Sequence, residues 1–431
     1  MGSTTLMLFT DRVFLGRYSV DALAAATPAS VTAFMFMAFF LGVVTYVNTF
    51  ISQYTGSGNT ERIGALLWQA IYFSCIAGIF LALIGFVGKP LFVLGGHPSH
   101  IQKLEVSYFT VLILGSGLTL VRDGLACFYS GRGITKTVMI VNMIGAAINI
   151  PLDYAMINGV WGFPEWGITG AGIATVCGNA TTLIIFGFLT FTRNNNRDYG
   201  VFRHYHFDGA LFKSLLRFGT PAGVQFFIDI FALAFFIFIV GQLGTVALAA
   251  TNIALAINML AFLPMLGFSI AISILVGQAV GRKQSHEGAE VTTSALHITF
   301  VYMSLIALIF VCFPEWLIDL FKPSSHSTHD YAEVRLTTIR LLRFVAIYTL
   351  FEALTLVYSA TIKGAGDTRF VGWTITIMST VFLMIPVSLA ILVWGAGIYI
   401  SWSIAMLYIC LVALVFRWRY RQGKWKKMRL I

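Results

Sequence analysis

Long apolar stretches separated by short polar turns run along the whole chain. A helix needs about 20 apolar residues to cross a bilayer, and these stretches are continuous, whereas an outer-membrane β-barrel would alternate apolar and polar residues. The pattern therefore predicts an all-α polytopic membrane protein with twelve spans. The spans are predicted at residues 3–16, 24–54, 63–88, 104–129, 137–158, 167–192, 215–240, 245–279, 289–313, 336–362, 370–393 and 396–416. The first is too short to cross a bilayer alone, and we expect that this helix is truncated.

Composition and charge agree with this class. Of the 431 residues, 58% are hydrophobic and 11% are charged, whereas a soluble domain of this size has a mostly polar exterior. Much of the net charge of +10 lies in residues 417–431, a basic tail after an apolar stretch, which is typical of a cytoplasmic end. Loops on the same side hold more Lys and Arg than loops on the other. Both termini are therefore predicted to be cytoplasmic, and no nucleic-acid partner is expected.

The second half of the chain repeats the first. The sequence Ala-Leu-Ala-Ala occurs at 22–25 and at 247–250, an offset of 225 positions, and the same offset relates Gln53 to Gln278. A second match, at an offset of 233 positions, relates Gly133 to Gly366. Six spans per repeat return the chain to the same side of the membrane, so the halves are predicted to be parallel repeats, as in several transporter folds.

The repeat predicts the domain organisation. Residues 1–192 are predicted to form a first lobe and 215–416 a second lobe, joined by a cytoplasmic loop at 193–214 and followed by a basic cytoplasmic tail at 417–431. Two six-helix lobes with a site at their interface are typical of a transporter.

Acidic residues deep in apolar stretches are the candidate functional groups. A carboxylate at bilayer depth costs several kcal/mol or more unless it binds a cation, takes a proton or pairs with a basic side chain. Asp11 and Asp153 are predicted to lie in the outer half of the first lobe, and Asn149 is one helical turn from Asp153. These three side chains form a candidate site for a hard cation or a proton. The alternative is that Asp11 pairs with Arg12 or Arg122.

The second lobe carries its own acids. Asp229 and Glu352 are predicted near the middle of the membrane, and the repeat does not map either onto Asp11 or Asp153. The alternative for Asp229 is a packing role, in which neighbouring hydroxyl groups or Asn252 hold its carboxylate.

One acid–base pair in the first lobe is given a structural role. Arg122 and Asp123 are adjacent on a predicted helix and are expected to point in different directions and to link helices.

Five short motifs, in order and on the expected spans, resemble the multidrug and toxic compound extrusion (MATE) family. They are Asp11-Arg12-Val13-Phe14-Leu15-Gly16, Asn149-Ile150-Pro151-Leu152-Asp153, Gly170-Ala171-Gly172-Ile173-Ala174-Thr175, Pro221 with Asp229 eight residues later, and Phe351-Glu352-Ala353. The chain departs from the family pattern by a shorter first helix and about four extra residues near 161–166. The two second-lobe acids are also exchanged, Asp for Glu and Glu for Asp.

The resemblance implies a V-shaped exporter of two helical bundles, driven by Na⁺ or H⁺. It implies that Asp11, Asn149, Asp153 and Thr175 bind the coupling ion in the first lobe. It further implies that Asp229, Glu352 and Asn252 bind the coupling ion or a cationic substrate in the second lobe. The resemblance does not decide to which subfamily of the MATE family the chain belongs, or whether Na⁺ or H⁺ is the coupling ion. No metal other than Na⁺ at these residues and no cofactor is expected.

The sequence thus predicts a secondary antiporter that exports organic cations or lipophilic compounds in exchange for Na⁺ or H⁺. It is expected to be a monomer embedded in the lipid of a bacterial inner membrane. The alternative is a lipid-linked oligosaccharide flippase of the same superfamily, which should line its cavity with arginines to hold pyrophosphate. An intramembrane enzyme is a third hypothesis, but the sequence shows no nucleophile–base spacing or His–acid cluster to support it.

Overall fold

The structure is a computed structural model that describes residues 2–86, 88–94, 98–319, 321, 328–428 and 430. Every regular element within these ranges is helical, and they contain no β-strand. Eleven described helical segments are long and apolar enough to cross a membrane, and the remaining predicted span is a helix of 17 residues at Gly2–Tyr18. The predicted all-α polytopic class is confirmed.

The chain divides into two compact units, one that extends to Gly223 and one at Val224–Leu430. The helices that begin in the first unit are α1 (Gly2–Tyr18), α2 (Val20–Thr45), α3 (Val47–Ser57), α4 (Glu61–Gly85), α5 (Gly88–Leu94), α6 (Ser99–Ser130), α7 (Thr135–Asn158), α8 (Gly167–Thr190), α9 (Arg193–Tyr199) and α10 (Gly209–Gly241). The predicted loop at 193–214 therefore contains α9 and the start of α10. The division into lobes at 192 and 215 stays a prediction.

The second unit contains the rest of α10 and the helices that follow it. These are α11 (Thr245–Gly281), α12 (Ser285–Cys312), α13 (Pro314–Asp319), α14 (Thr328–Ala365), α15 (Thr368–Ser379), α16 (Ile385–Ser388) and α17 (Ile398–Arg421). Two π-helical turns, Thr380–Met384 and Leu389–Val393, flank α16, which has Pro386 in its first turn. π-helical turns and prolines both interrupt the regular backbone hydrogen bonds of an α-helix, so this stretch departs from regular α-helical geometry.

The internal repeat extends to the backbone at the ends of helices. Gly58 follows α3 with φ of 76°, and Lys283, 225 positions later, follows α11 with φ of 65°. Gly133 and Gly366, related by the offset of 233, have φ of 85° and 112°. Left-handed backbone is normally reserved for glycine and costs another residue about 1–2 kcal/mol. The second half of the chain therefore keeps the left-handed turn at Lys283, although lysine replaces glycine there.

Close helix contacts hold the first unit together. An added Cβ at Gly78 of α4 would lie 2.7 Å from the Cα of Gly117 on α6, so only glycine lets these two backbones approach so closely. Small residues serve the same purpose between helices of other membrane proteins, where no water drives apolar surfaces together.

One end of the first unit is rich in basic and aromatic side chains. The guanidinium of Arg132, just after α6, lies 3.8 Å from the ring centroid of Phe128 and 4.4 Å from that of Tyr199 on α9. We call this end, where α6 finishes and α7 begins, the basic end.

The chain after α17 folds back onto the second unit. A 3₁₀ turn at Lys424–Lys427 places Trp425, 1% exposed, in an apolar cluster with residues of α11, α12 and α14. The Trp425 ring stacks on Tyr420 at 5.4 Å, and Arg419 donates two hydrogen bonds to Asp367 Oδ2 at 2.8 and 2.6 Å. The predicted tail at 417–431 is therefore ordered where it is described, and residues 429 and 431 lie outside the described ranges.

Candidate functional site

Three helices of the first unit bring together the side chains that we call the acid cluster: Asp11, Tyr108, Asn149 and Asp153. Asp11 of α1 is 2% exposed, and Asn149 and Asp153 of α7 are 0% exposed. The hydroxyl of Tyr108 on α6 donates a hydrogen bond to Asp11 Oδ2 at 3.0 Å. Asn149 and Asp153 are four residues apart, so they share one face of α7.

Most polar atoms of the acid cluster have no hydrogen-bond partner. Asp11 Oδ1, both carboxylate oxygens of Asp153 and both polar atoms of the Asn149 amide are buried without a partner among the described residues. The Asp11 and Asp153 carboxylates are also close enough to repel each other electrostatically. Two buried like charges are unfavourable unless a cation or a proton neutralises them. The cluster is therefore built to take up positive charge.

The α7–α8 packing fixes the amide of this cluster. An added Cβ at Gly178 of α8 would lie 2.9 Å from the Cβ of Asn149, so only glycine leaves room for the asparagine here. On the same interface, a Cβ at Gly145 would lie 2.3 Å from the Thr182 methyl group. Close packing against glycine thus fixes where the Asn149 side chain lies.

The alternative that Asp11 pairs with a neighbouring arginine holds only in part. The guanidinium of Arg12, whose Nη1 is buried without a hydrogen-bond partner among the described residues, acts electrostatically on the Asp11 carboxylate, but the two groups form no salt bridge there. Arg12 donates to Ser30 Oγ at 2.7 Å, and Arg122 lies with Asp123 at 2.6 Å. No salt bridge joins Asp11 to either arginine in the part of the chain that the structure describes.

The expectation that Arg122 and Asp123 point in different directions is also wrong. The Nε and Nη2 atoms of Arg122 both donate to Asp123 Oδ1, at 2.9 and 2.6 Å. The long, flexible side chain of Arg122 bends back to its neighbour, which overrides the 100° between adjacent residues on a helix. The predicted link between helices is nevertheless present, because Arg122 Nη1 donates to Asn179 Oδ1 of α8 at 2.6 Å.

Thr175, assigned to the coupling-ion site by resemblance, lies on α8 and is partly buried. No hydrogen bond connects it to the acid cluster within the described ranges. Its role stays a prediction.

The acids of the second unit have different surroundings. Gln225 Nε2 donates to Asp229 Oδ2 at 3.2 Å, and the ammonium group of Lys363 on α14 interacts electrostatically with Asp229. Lys363 is eleven residues from Glu352 on the same helix, about 16 Å along its axis. Asp229 is therefore compensated by a basic and an amide group.

Glu352 lacks such compensation. Its Oε2 atom is buried with no hydrogen-bond partner among the described residues, as is the hydroxyl of Thr355 one turn away. Asn252 is exposed on α11, and no hydrogen bond links it to Asp229 or Glu352 in the described part of the chain. The structure thus does not bring the three predicted second-lobe residues into one hydrogen-bonded site, and their assignment stays a prediction.

Sequence reasoning missed Tyr108, Glu105 and Lys363. Tyr108 gives no sequence signal because aromatic residues are abundant along the chain. Glu105, fully buried three residues before Tyr108, was detectable as another acid in an apolar stretch. Lys363 lies one residue beyond the predicted span at 336–362, whereas α14 continues past it to Ala365.

Comparison with known proteins gives consistent matches over nearly the whole chain. The model of the MatE family matches residues 1–155 and 221–390. A probable multidrug resistance protein NorM of Mannheimia succiniciproducens is 26% identical over 365 residues, which cover 84% of this chain and 77% of the relative. A protein of the same name from Thermotoga maritima is 24% identical over 448 residues, covering 100% of this chain and 92% of the relative.

A solved structure has the same fold. A MOP superfamily transporter from Pyrococcus furiosus superposes with a TM-score of 0.89 at 19% sequence identity, covering 100% of this chain and 94% of that chain. At this identity the likeness establishes the fold alone, and it agrees with the predicted class of two pseudo-symmetric helical bundles.

Proposed function

This chain belongs to the MatE family of membrane transporters, and on that premise we propose that it exports small molecules in exchange for a monovalent cation. The exported compounds are organic cations or lipophilic molecules, as the names of the multidrug resistance relatives suggest. The coupling cation is Na⁺ or H⁺, and the protein needs no further cofactor.

The acid cluster carries this proposal. Five polar atoms of Asp11, Asn149 and Asp153 are buried without a hydrogen-bond partner among the described residues, and four of them are oxygens. Carboxylate and amide oxygens are the ligands that a hard cation prefers. A proton on one of the two carboxylates would equally relieve their repulsion.

Exchange follows from competition for negative charge. A carboxylate that holds Na⁺ or H⁺ has less attraction for a cationic substrate, and the substrate has the converse effect on the ion. Each ligand therefore lowers the affinity for the other, and a gradient of the ion drives export without ATP. Glu352, whose Oε2 atom is buried without a hydrogen-bond partner among the described residues, is the second-unit acid that we assign to this exchange.

The basic end of the first unit and the segment after α17 are proposed to face the cytoplasm of a bacterial inner membrane, since Lys and Arg accumulate on that side. Membrane lipid then surrounds a monomer with both termini inside the cell.

The lipid-linked oligosaccharide flippase is the weaker alternative. Binding of a pyrophosphate group would require arginines that are free to pair with it, and Arg122 is already held by Asp123 and Asn179. The names of the relatives do not favour it either.

Reconstitution into liposomes tests the proposal. Efflux of a fluorescent lipophilic cation such as ethidium is measured while a Na⁺ gradient and a pH gradient are imposed separately. We expect one gradient to drive transport in the wild type and neither to drive it in Asp153→Asn. Asp198→Asn, on the exposed helix α9, is the matched control and should behave like the wild type. Equal transport by Asp153→Asn and wild type, or driving by neither gradient, would refute cation exchange at this cluster.

A further inference from the structure

The Arg122–Asp123 pair is a charged group inside the first unit that the exchange mechanism does not use. Its side chains are 17% and 20% exposed. Arg122 bridges α6 to α8 through Asn179, and Asn179 Nδ2 in turn donates to Thr119 Oγ1 at 3.2 Å. The guanidinium is therefore held in one position by three hydrogen bonds to two residues.

This guanidinium borders the acid cluster through a small cavity. Arg122 lines the cavity together with Met7 of α1, Asn142 of α7 and Gly178 of α8, whereas Asp123 does not line it. Gly178 is the residue that contacts Asn149 of the acid cluster. Gly178 is thus shared by the wall of the cavity and the packing of the acid cluster, so Arg122 lies one layer of side chains from Asn149.

The order of these groups along α7 gives the direction. Asn142 precedes Asn149 by seven residues, two turns or about 10 Å, on the side of the basic end where α7 begins at Thr135. A cation that left the acid cluster through this unit toward the basic end would therefore pass the level of Arg122.

We infer that Arg122 is an electrostatic barrier that closes the first unit to cations between the acid cluster and the basic end. An arginine placed in a narrow passage excludes cations from other membrane pores in the same way. Asp123 offsets the cost of burying the guanidinium, but it does not line the cavity. The inference rests on the proposed function, because a barrier matters only if the acid cluster holds a mobile cation.

The pair has a second effect, which any test must separate from the first. It links α6 to α8 and so supports the fold, and removal of Arg122 alone would leave the Asp123 carboxylate partly buried without its partner. The double variant Arg122→Gln/Asp123→Asn avoids this, since it retains the shape and hydrogen-bonding capacity of both side chains and removes both charges.

The chain offers a matched control. Arg197 and Asp198 form the same adjacent ion pair on α9, Nε to Oδ1 at 3.0 Å, with side chains 79% and 49% exposed. The variant Arg197→Gln/Asp198→Asn makes the same chemical change at the surface. Arg122→Lys and Asp123→Asn, which each keep the positive charge, are the conservative variants.

The experiment measures passive flux of ²²Na⁺ and of protons into liposomes that contain the full-length protein and no exported compound. We expect the Arg122→Gln/Asp123→Asn variant to leak roughly tenfold faster than the wild type for the coupling ion. Arg122→Lys, Asp123→Asn and the α9 control should stay as tight as the wild type. If passive ion flux through the Arg122→Gln/Asp123→Asn variant equals that of the wild type, with unchanged melting temperature and elution volume, the inference that Arg122 is a barrier would be overturned.

Addition of Asp153→Asn to the leaky variant identifies the route. We expect the leak to disappear, because the ion can no longer enter through the acid cluster; a leak that persists would overturn the inference. The two proposals fail separately. If wild-type export responds to an ion gradient and the Arg122→Gln/Asp123→Asn variant is tight, the barrier fails alone. If that variant leaks and no gradient drives export, the exchange proposal fails alone.

Discussion

The two units repeat one arrangement of helices but fill the same position with opposite chemistry. At the offsets of 225 and 233 positions, Asp11 corresponds to Phe236 and Tyr108 to Leu341. Phe236 and Leu341 are buried in one apolar cluster with Leu383 and neighbouring residues. At these two positions the first unit therefore has an acid and its hydrogen-bond donor, whereas the second has ordinary hydrophobic core.

This difference separates the requirements of the fold from those of the function. The apolar version shows that the helices pack at this position without a carboxylate. The acid cluster is costly to bury, so its presence in one unit alone indicates a role in binding rather than in packing. The acids of the second unit lie elsewhere, and one of them, Asp229, is compensated by Gln225 and Lys363.

The largest effect is expected at the apolar counterpart of Tyr108. Leu341→Ala removes a fully buried side chain and should lower the free energy of unfolding by about 2–5 kcal/mol. The ion dependence of the remaining transport should not change. Thermal unfolding in detergent measures the first effect and liposome efflux the second. A change in the coupling ion's apparent affinity would show that the comparison misplaces the function.

Asp153→Asn should instead impair transport without lowering stability. It should reduce gradient-driven efflux at least about tenfold, equivalent to about 1.4 kcal/mol, because the cluster loses the charge that attracts the ion. The melting temperature should remain equal or rise, since a buried carboxylate without a partner is removed. A large loss of stability would mean that Asp153 serves the fold instead.

Substitutions of the two acids of the second unit should have different effects. Glu352→Gln should lower efflux roughly fivefold, about 1 kcal/mol, with little loss of stability. Asp229→Asn should instead lower the melting temperature by several degrees, because it removes the negative charge that faces Lys363. The double variant Asp229→Asn/Lys363→Met should recover much of that stability. The reverse pattern, with Asp229 dominant in transport, would contradict the assignment of Glu352.

The smallest effect is expected at Tyr108→Phe, which removes one hydrogen bond to Asp11. A hydrogen bond to a charged group is worth about 1.5–3 kcal/mol at most, and the same atom can accept from water or hold the ion. We expect a two- to threefold change in the concentration of coupling ion that gives half-maximal transport. No change would show that Tyr108 only fills space.

Much of the fold is readable from the sequence because the bilayer imposes it. Spans about 20 residues long must be helical, and the repeat locates equivalent turns such as Gly58 and Lys283, which keep left-handed backbone. Burial in an apolar stretch also identified Asp11, Asn149 and Asp153, which the structure brings together.

Contacts between side chains on different helices could not be predicted from the sequence. The hydrogen bond from Tyr108 joins residues 97 positions apart, and no local pattern encodes such a contact. The expectation that Arg122 and Asp123 point in different directions was wrong for another reason. Helix geometry fixes the direction of Cβ but not the course of a long side chain. Lys363 was misjudged because α14 continues past the predicted end of its span at 362.

The burial of Trp425 has a practical consequence for anyone who attaches a reporter or an affinity tag to this protein. A fusion that replaces the residues after Gly423 would remove the Trp425 indole from its cluster with α11, α12 and α14 and expose an apolar surface. Exposed apolar surfaces promote aggregation during purification. A tag placed beyond Leu430, after a flexible linker, would leave both the Trp425 anchor and the contact of Leu430 with Gly366 in place. Yield and monodispersity in detergent should therefore differ between the two fusion points, although both lie outside every span.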